Sequence, residues 1–416
     1  MTNEPKQTVK PSPRWRRLRR VAIGGGLLLI IGAGVLLATA WTSMGTAPTG
    51  ERLERMGQSP HFETDIFVND LPMEQGPISE MAGEWFFGGG ADRTPATPPP
   101  IDTNTAQTLA SAPASGLRVT WMGHSSMLIE IDGQRFLTDP VWSERCSPWT
   151  SMGPARFHPT PVPVESLLPL DAVVISHDHY DHLDTATIRS LAHEVGRFIV
   201  PLGVGAHLEY WGVEPERITE HDWWDETEIG GVRVVCTPAR HFSGRAVTDK
   251  DRTLWASWSF IGPEHRAYFS GDTGMHPGFT EIGQRLGPFD VTMIEVGAYH
   301  RLWADVHLGP EQAVHAHQML RGDVMLPVHW GTFDLALHSW TEPIERLVVE
   351  AHDAGITLVA PRAGEPIEPG APPAVAHWWP IIPWETDREH PIISSHLPAS
   401  LGRQARALVP VSGPRP

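Results

Sequence analysis

The chain has 416 residues, 41% apolar and 19% charged. That is enough for one sizeable core, and too long for a miniprotein stapled by its two cysteines, Cys146 and Cys236. The formal charge is −17, and residues 1–40 hold seven Lys/Arg against one Glu, so the remainder carries −23; so acidic a body argues against a general nucleic-acid binder.

In chain order, residues 1–20 form a basic segment ending in Arg14, Arg16, Arg17, Arg19 and Arg20. Val21 to Ala40 is an uncharged run. At about 1.5 Å per helical residue it spans roughly 30 Å, a bilayer's hydrocarbon thickness. Residues 21–40 are therefore predicted to be a transmembrane anchor. The basic residues ahead of it put the N-terminus in the cytoplasm and the remaining chain outside, in the periplasm of a Gram-negative cell. The alternative is a secretory signal cut after Ala38-Thr39-Ala40, which would release the protein. Residues 41–115, with Gly88-Gly89-Gly90 and Pro98-Pro99-Pro100, read as a linker and wrapping segment.

From Leu117 short apolar runs alternate with turn residues. They predict strands at Leu117–Trp121, Met127–Ile131, Arg135–Thr138, Ala172–Ser176, Phe198–Pro201, Val232–Thr237, Trp255–Ile261, Arg266–Ser270, Val291–Val296 and Val324–Val328. Helices are predicted after Asp184, Pro310 and Thr341. This alternation implies an α/β (α+β) domain over 116–369, with sheets covered by helices. Residues 370–416 read as a Pro-rich tail, docked in part through Trp378, Trp379 and Trp384.

The chemistry concentrates in His177-Asp178-His179-Tyr180-Asp181-His182, which follows a buried-looking strand. His177 and His179 lie two apart in extended chain and project to one side. Asp181 and His182 come after the turn and can reach a second ion. A His-x-His-x-Asp-His match is expected by chance only about 0.003 times at this composition. Three further candidate ligands follow strands: His241 after Val232–Thr237, Asp272 after Arg266–Ser270, and His329 after Val324–Val328. Imidazole and carboxylate without thiolate suit Zn²⁺, with Mn²⁺ or Fe as alternatives.

These motifs, with Trp121-Met-Gly-His124-Ser-Ser, Leu137-Thr-Asp139-Pro-Val-Trp, Trp223-Trp224 and His329-Trp-Gly-Thr-Phe333, resemble the metallo-β-lactamase-fold hydrolases. Within them the chain is similar to the branch of N-acylphosphatidylethanolamine-hydrolysing phospholipase D and the ascorbate-phosphate lactonases. The resemblance implies an αββα sandwich with the metal site at one edge, to follow the N-terminal membrane helix predicted above. It also implies two Zn²⁺, one on His177, His179 and His241 and the other on Asp181, His182 and His329, with Asp272 between them. The activity implied is hydrolysis of a small-molecule or lipid phosphodiester by a metal-bridging hydroxide. A lactonase, and a non-catalytic metal-stabilised envelope protein, are the alternatives. Asp181 and Asp139 join the catalytic set, Asp139 as the acceptor orienting a metal-bound histidine. His124, Tyr299 and His307 are expected near substrate, and His307 is also a candidate proton donor to the leaving group.

Overall fold

The computed structural model describes residues 13–85, 90, 92–398 and 401. Most of the basic N-terminal segment, Gly88 and Gly89, and the end of the Pro-rich tail lie outside them. The N-terminal apolar run forms one helix, Pro13–Met44, within which Ala22–Met44 is long and apolar enough to cross a membrane.

Two seven-stranded sheets follow. The first has the spatial order Pro366–Ile367, Leu117–Gly123, Ser126–Ile131, Gln134–Thr138, Ala172–Val174, Phe198–Pro201, Ile218–His221. The second runs Thr357–Leu358, Gly322–Val328, Phe289–Glu295, Arg266–Phe269, Ser257–Ile261, Val232–Thr237, Glu226–Ile229. Each sheet begins in sequence with an antiparallel meander and continues in parallel strands. Helices carry the parallel crossovers except the return from Gln134–Thr138 to Ala172–Val174, a long connection with one 3-10 turn at Val164–Leu167.

Period-two alternation sorts the side chains. Val119, Ile129, Phe136 and Val174 of the first sheet face Val234, Trp258, Phe260 and Met293 of the second in one core. Leu128, Leu137, Val173 and Val200 point the other way, onto Ile188 and Leu191 of the helix Thr185–Leu191 and Leu208 of the helix Gly205–Tyr210. The helices Gly278–Arg285, Pro310–Leu320 and Glu342–Asp353 cover the outside of the second sheet. The molecule is an αββα sandwich. Strands buried on both faces read as continuous apolar runs, which is why all ten predicted strands are present. The edge strands Ile218–His221 and Glu226–Ile229 escaped the sequence reading because half-exposed polar and charged residues interrupt them.

Described residues within 41–115 pack against the sandwich. Arg52 and Arg55 of the helix Glu51–Met56 both reach Glu220 Oε2, at 2.8 and 2.6 Å. Asn69 Nδ2 donates to the His241 carbonyl at 2.7 Å, and the His241 N–H donates back to Asn69 Oδ1 at 3.1 Å. The tail docks likewise. Trp378 stacks on Trp330, with centroids 5.4 Å apart. Asp305 joins both flanks to the body. It pairs with buried Arg240 at 3.0 Å and accepts from the Glu74 N–H at 2.8 Å and the Ser395 N–H at 2.7 Å. Cys146 and Cys236 are free thiols, both buried.

Asp305→Ala leaves Arg240 as an uncompensated buried charge, so unfolding in urea should show a loss of about 3–5 kcal/mol. A loss below 1 kcal/mol, roughly what an exposed pair contributes, would contradict this account.

Candidate metal centre

The carboxyl ends of strands from both sheets meet at one edge of the sandwich, and each delivers a polar residue. Ser176 and His177 follow Ala172–Val174, His241 follows Val232–Thr237, Asp272 follows Arg266–Phe269, and His329 follows Gly322–Val328. Asp184 accepts from the Ala186 N–H at 3.3 Å, capping the helix that closes the loop 177–184.

The seven candidate ligands come together. His177, His179, His241 and Asp272 form one group, their donor atoms all within 4.8 Å of one another. In it His177 Nε2 lies 2.8 Å from His179 Nδ1, and His241 Nε2 lies 3.3 Å from the same atom. In the second group Asp181 Oδ2 is 3.5 Å from His182 Nε2 and 3.4 Å from His329 Nε2. Asp272 Oδ2 touches both groups: 3.1 Å from His182 Nε2 and His329 Nε2, 3.9 Å from His177 Nε2 and 3.8 Å from His241 Nε2. Two ligands about 2.0–2.1 Å from a tetrahedral ion lie roughly 3.3 Å apart, so each group has the span of a coordination shell.

The polar atoms fit a cation as well. His182 Nε2, His329 Nε2 and Asp272 Oδ1 are buried without a hydrogen-bond partner, a costly state unless something positive is bound. Nδ1 of His182 and of His241 is fixed from behind. Asp139 Oδ2 lies 2.7 Å from His182 Nδ1, and Asp139 Oδ1 accepts from the Ser176 N–H at 2.7 Å. His241 Nδ1 lies 3.0 Å from the Val306 carbonyl. Such contacts select the tautomer that frees Nε2 for a metal.

The backbone is strained here. His124, Asp139 and His329 have φ of +52°, +38° and +63°, a region that non-glycine residues seldom occupy and that concentrates at functional sites. Gly271, at φ +54°, allows the Asp272 turn to press on the neighbouring strand end: a Cβ there would stand 2.5 Å from Ser176 Cβ.

His124 and His307 also reach the centre. His124 Nε2 lies 2.9 Å from Asp181 Oδ2. His307 Nδ1 sits 2.8 Å from Glu295 Oε2 and 3.8 Å from Asp272 Oδ2. Tyr299 does not join them. It is wholly buried, with its hydroxyl donating to Glu342 Oε1 at 2.9 Å and its ring stacked on His338, so it packs the interior rather than facing substrate. The sequence reading missed Glu295, whose signal was a lone carboxylate in the apolar run Val291–Val296. It also missed Ser176 and the Val306 carbonyl, which leave no signal at all. Trp223 and Trp330 are buried in the core, the latter stacked on Trp121 with ring centroids 5.6 Å apart.

Electrostatics divide the ligands. Burial pushes His177 and His241 well below the ordinary histidine range. Burial acts the same way on His182 and His329, yet the carboxylates overcome it: Asp272 raises both, joined by Asp181, and His329 is pushed up to about 10. Both rings therefore favour the protonated form when no metal is bound, and binding must expel those protons. Metal uptake should therefore release protons, strengthen as pH rises and weaken as it falls, which calorimetry in buffers of different ionisation enthalpy would detect. Uptake without proton release would refute this. Asp139→Ala should lower metal affinity about 10–100-fold while the fold persists, checked by metal titration with circular dichroism.

Comparison with known proteins agrees with this geometry. Residues 134–330 match the beta-lactamase superfamily domain. The chain is 47% identical over 331 residues to an uncharacterised protein of Mycobacterium tuberculosis, covering 77% of this chain and 88% of that one. It is 36% identical over 261 residues to N-acyl-phosphatidylethanolamine-hydrolyzing phospholipase D 1 of Caenorhabditis elegans, covering 60% of this chain and 73% of the relative. A 94-residue stretch is 43% identical to outer membrane protein RomA of Klebsiella pneumoniae, covering 23% of this chain and 70% of that protein. The chain belongs to the branch of the metallo-β-lactamase superfamily that contains the N-acyl-phosphatidylethanolamine-hydrolysing phospholipases D, and it is a metal-dependent hydrolase.

Proposed function

We propose that the protein is a dinuclear zinc phosphodiesterase that cleaves a membrane lipid of the N-acylphosphatidylethanolamine type. The reading is carried by Asp272 Oδ2, 3.1–3.9 Å from four imidazole nitrogens that belong to two different donor groups. One carboxylate shared by two coordination shells suits a pair of ions better than one. The 36% identity to the Caenorhabditis elegans phospholipase D supports the substrate class.

His177, His179 and His241 would hold one ion, and Asp181, His182 and His329 the other, with Asp272 within reach of both. Such a pair supplies an activated water and stabilises charge on phosphoryl oxygens. The protein's own groups do the rest. Asp139 holds the His182 ring, and His124 holds Asp181. His179, Asp181 and His307 are less buried than the other site residues and border the opening. With a proton on each ring nitrogen, His307 is held at Nδ1 by Glu295 Oε2, 2.8 Å away, and passes its Nε2 proton to the departing headgroup alcohol. The apolar helix anchors the chain with its N-terminus cytoplasmic and the hydrolase outside.

The full chain, reconstituted in vesicles containing N-acylphosphatidylethanolamine, should release phosphatidate and hold two zinc ions per chain. Asp181→Ala should lower kcat at least about 100-fold. His307→Gln should cost roughly 100-fold on the lipid but far less on a p-nitrophenyl phosphodiester, whose leaving group needs no proton. Zinc-loaded protein that opens lactones and leaves every phosphodiester intact would overturn the substrate assignment.

A further inference from the structure

Arg245 is a buried cation that makes no ion pair of 4 Å or less with a carboxylate among the described residues. Its guanidinium is spent on backbone carbonyls from two distant segments. Nε and Nη2 donate to Ser43 O at 2.9 and 2.7 Å, at the last turn of the apolar helix. Nη1 donates to the carbonyls of Asp178 and Leu183, the latter at 2.9 Å, within the ligand loop 177–184. A cation at a helix C-terminus satisfies carbonyls that have no partner within the helix and complements its dipole. Trp211 Nε1 donates to Thr42 O at 2.7 Å, and the Thr46 N–H donates to His207 Nδ1 at 3.1 Å. The helix therefore ends on the hydrolase, fastened to the loop that carries His177, His179, Asp181 and His182.

A second contact fixes the direction of the helix. Trp149 Nε1 donates to Leu36 O at 2.8 Å, two turns back from the helix end and inside the apolar stretch. Leu36 lies five residues before Trp41, about 7 Å along the axis. Trp149 and the exposed Trp41 thus occupy the levels where membrane proteins place their aromatic belts. The same loop carries exposed Met152. The loop following Arg245 carries Val247, whose side chain is wholly exposed although apolar. An apolar side chain held in water beside a membrane-spanning helix is accounted for if lipid covers it.

We infer that the loops 147–153 and 243–251 form a membrane-contact surface, continuous with the apolar helix, that holds the metal centre against the bilayer. The open side of the centre borders this surface. Phe242, just before the second loop, packs its ring 4.5 Å from His179, and Arg245 lies over the Tyr180 ring at 4.1 Å. A phosphodiester at the lipid surface reaches the ions without leaving its leaflet. The inference rests on the membrane part of the proposed function and not on its choice of lipid.

Cys146 and Cys236 are buried, so a thiol placed on the surface can be labelled selectively. The full chain carrying Val247→Cys, Met152→Cys or Glu264→Cys is labelled with an environment-sensitive fluorophore and reconstituted in phosphatidylcholine–phosphatidylglycerol vesicles with brominated acyl chains. Glu264 is exposed at the opposite ends of the strands and serves as the reference. Labels at 247 and 152 should lose most of their emission, and the label at 264 should keep it. Unquenched labels at both 247 and 152, as when a second protein copy covers the loops, or equal quenching at 264, overturn the inference. A chain quenched at 247 that releases no phosphatidate keeps this surface and loses the lipid assignment; an active chain with unquenched loops does the reverse.

Discussion

Five imidazoles and two carboxylates crowded at one buried edge are tolerable only if positive charge is shared among them. Asp272 is where that condition is most acute: its Oδ2 contacts four ring nitrogens, while its Oδ1 has no partner. Asp272 and Asp181 favour the charged form of His182 and His329, raising both against the effect of burial. Divalent ions supply the positive charge better, because each ligand then satisfies a coordination bond instead of repelling its neighbour. The rest of the architecture can be understood as the means of holding those seven groups within a few ångströms.

Two sheets with parallel halves are suited to that task. Their strands present carboxyl ends at a common edge, so residues far apart in sequence arrive together on rigid supports rather than on free loops. The flanks contribute too. Asn69 grips the His241 backbone from a segment well ahead of the first sheet, and Asp305 joins that segment, Arg240 and the tail one residue before Val306, whose carbonyl orients the His241 ring. The region that looks like a linker is therefore part of what keeps a ligand in place. Arg245 extends the same logic to the apolar helix, and links the anchor to the ligand loop mainly through backbone carbonyls.

Much of this was legible because two periodicities are written in side-chain type. Strands covered on both faces are largely apolar, so the ten central strands stand out, and Asp184 announces its helix by capping it. The ligand motif was equally plain, since few needs other than metal binding place three histidines and an aspartate within six residues. Asp139, His124 and His307 were recognisable as candidates because each lies in a short motif near a strand or helix end. Tyr299 lay in similar surroundings and misled: proximity along the chain does not decide which way a ring turns, and its hydroxyl found Glu342 inside the fold.

The sequence by itself determined the donor types, their grouping around strand ends and the apolar helix, because each depends on local composition and spacing. Only the tertiary structure decided that Glu295 stands behind His307, that Tyr299 turns into the core, and that His124, Asp139 and His329 adopt left-handed backbone. The physical reason is that these depend on pairings between residues tens to hundreds of positions apart and on strain held by surrounding packing, and neither leaves a periodic trace in the chain.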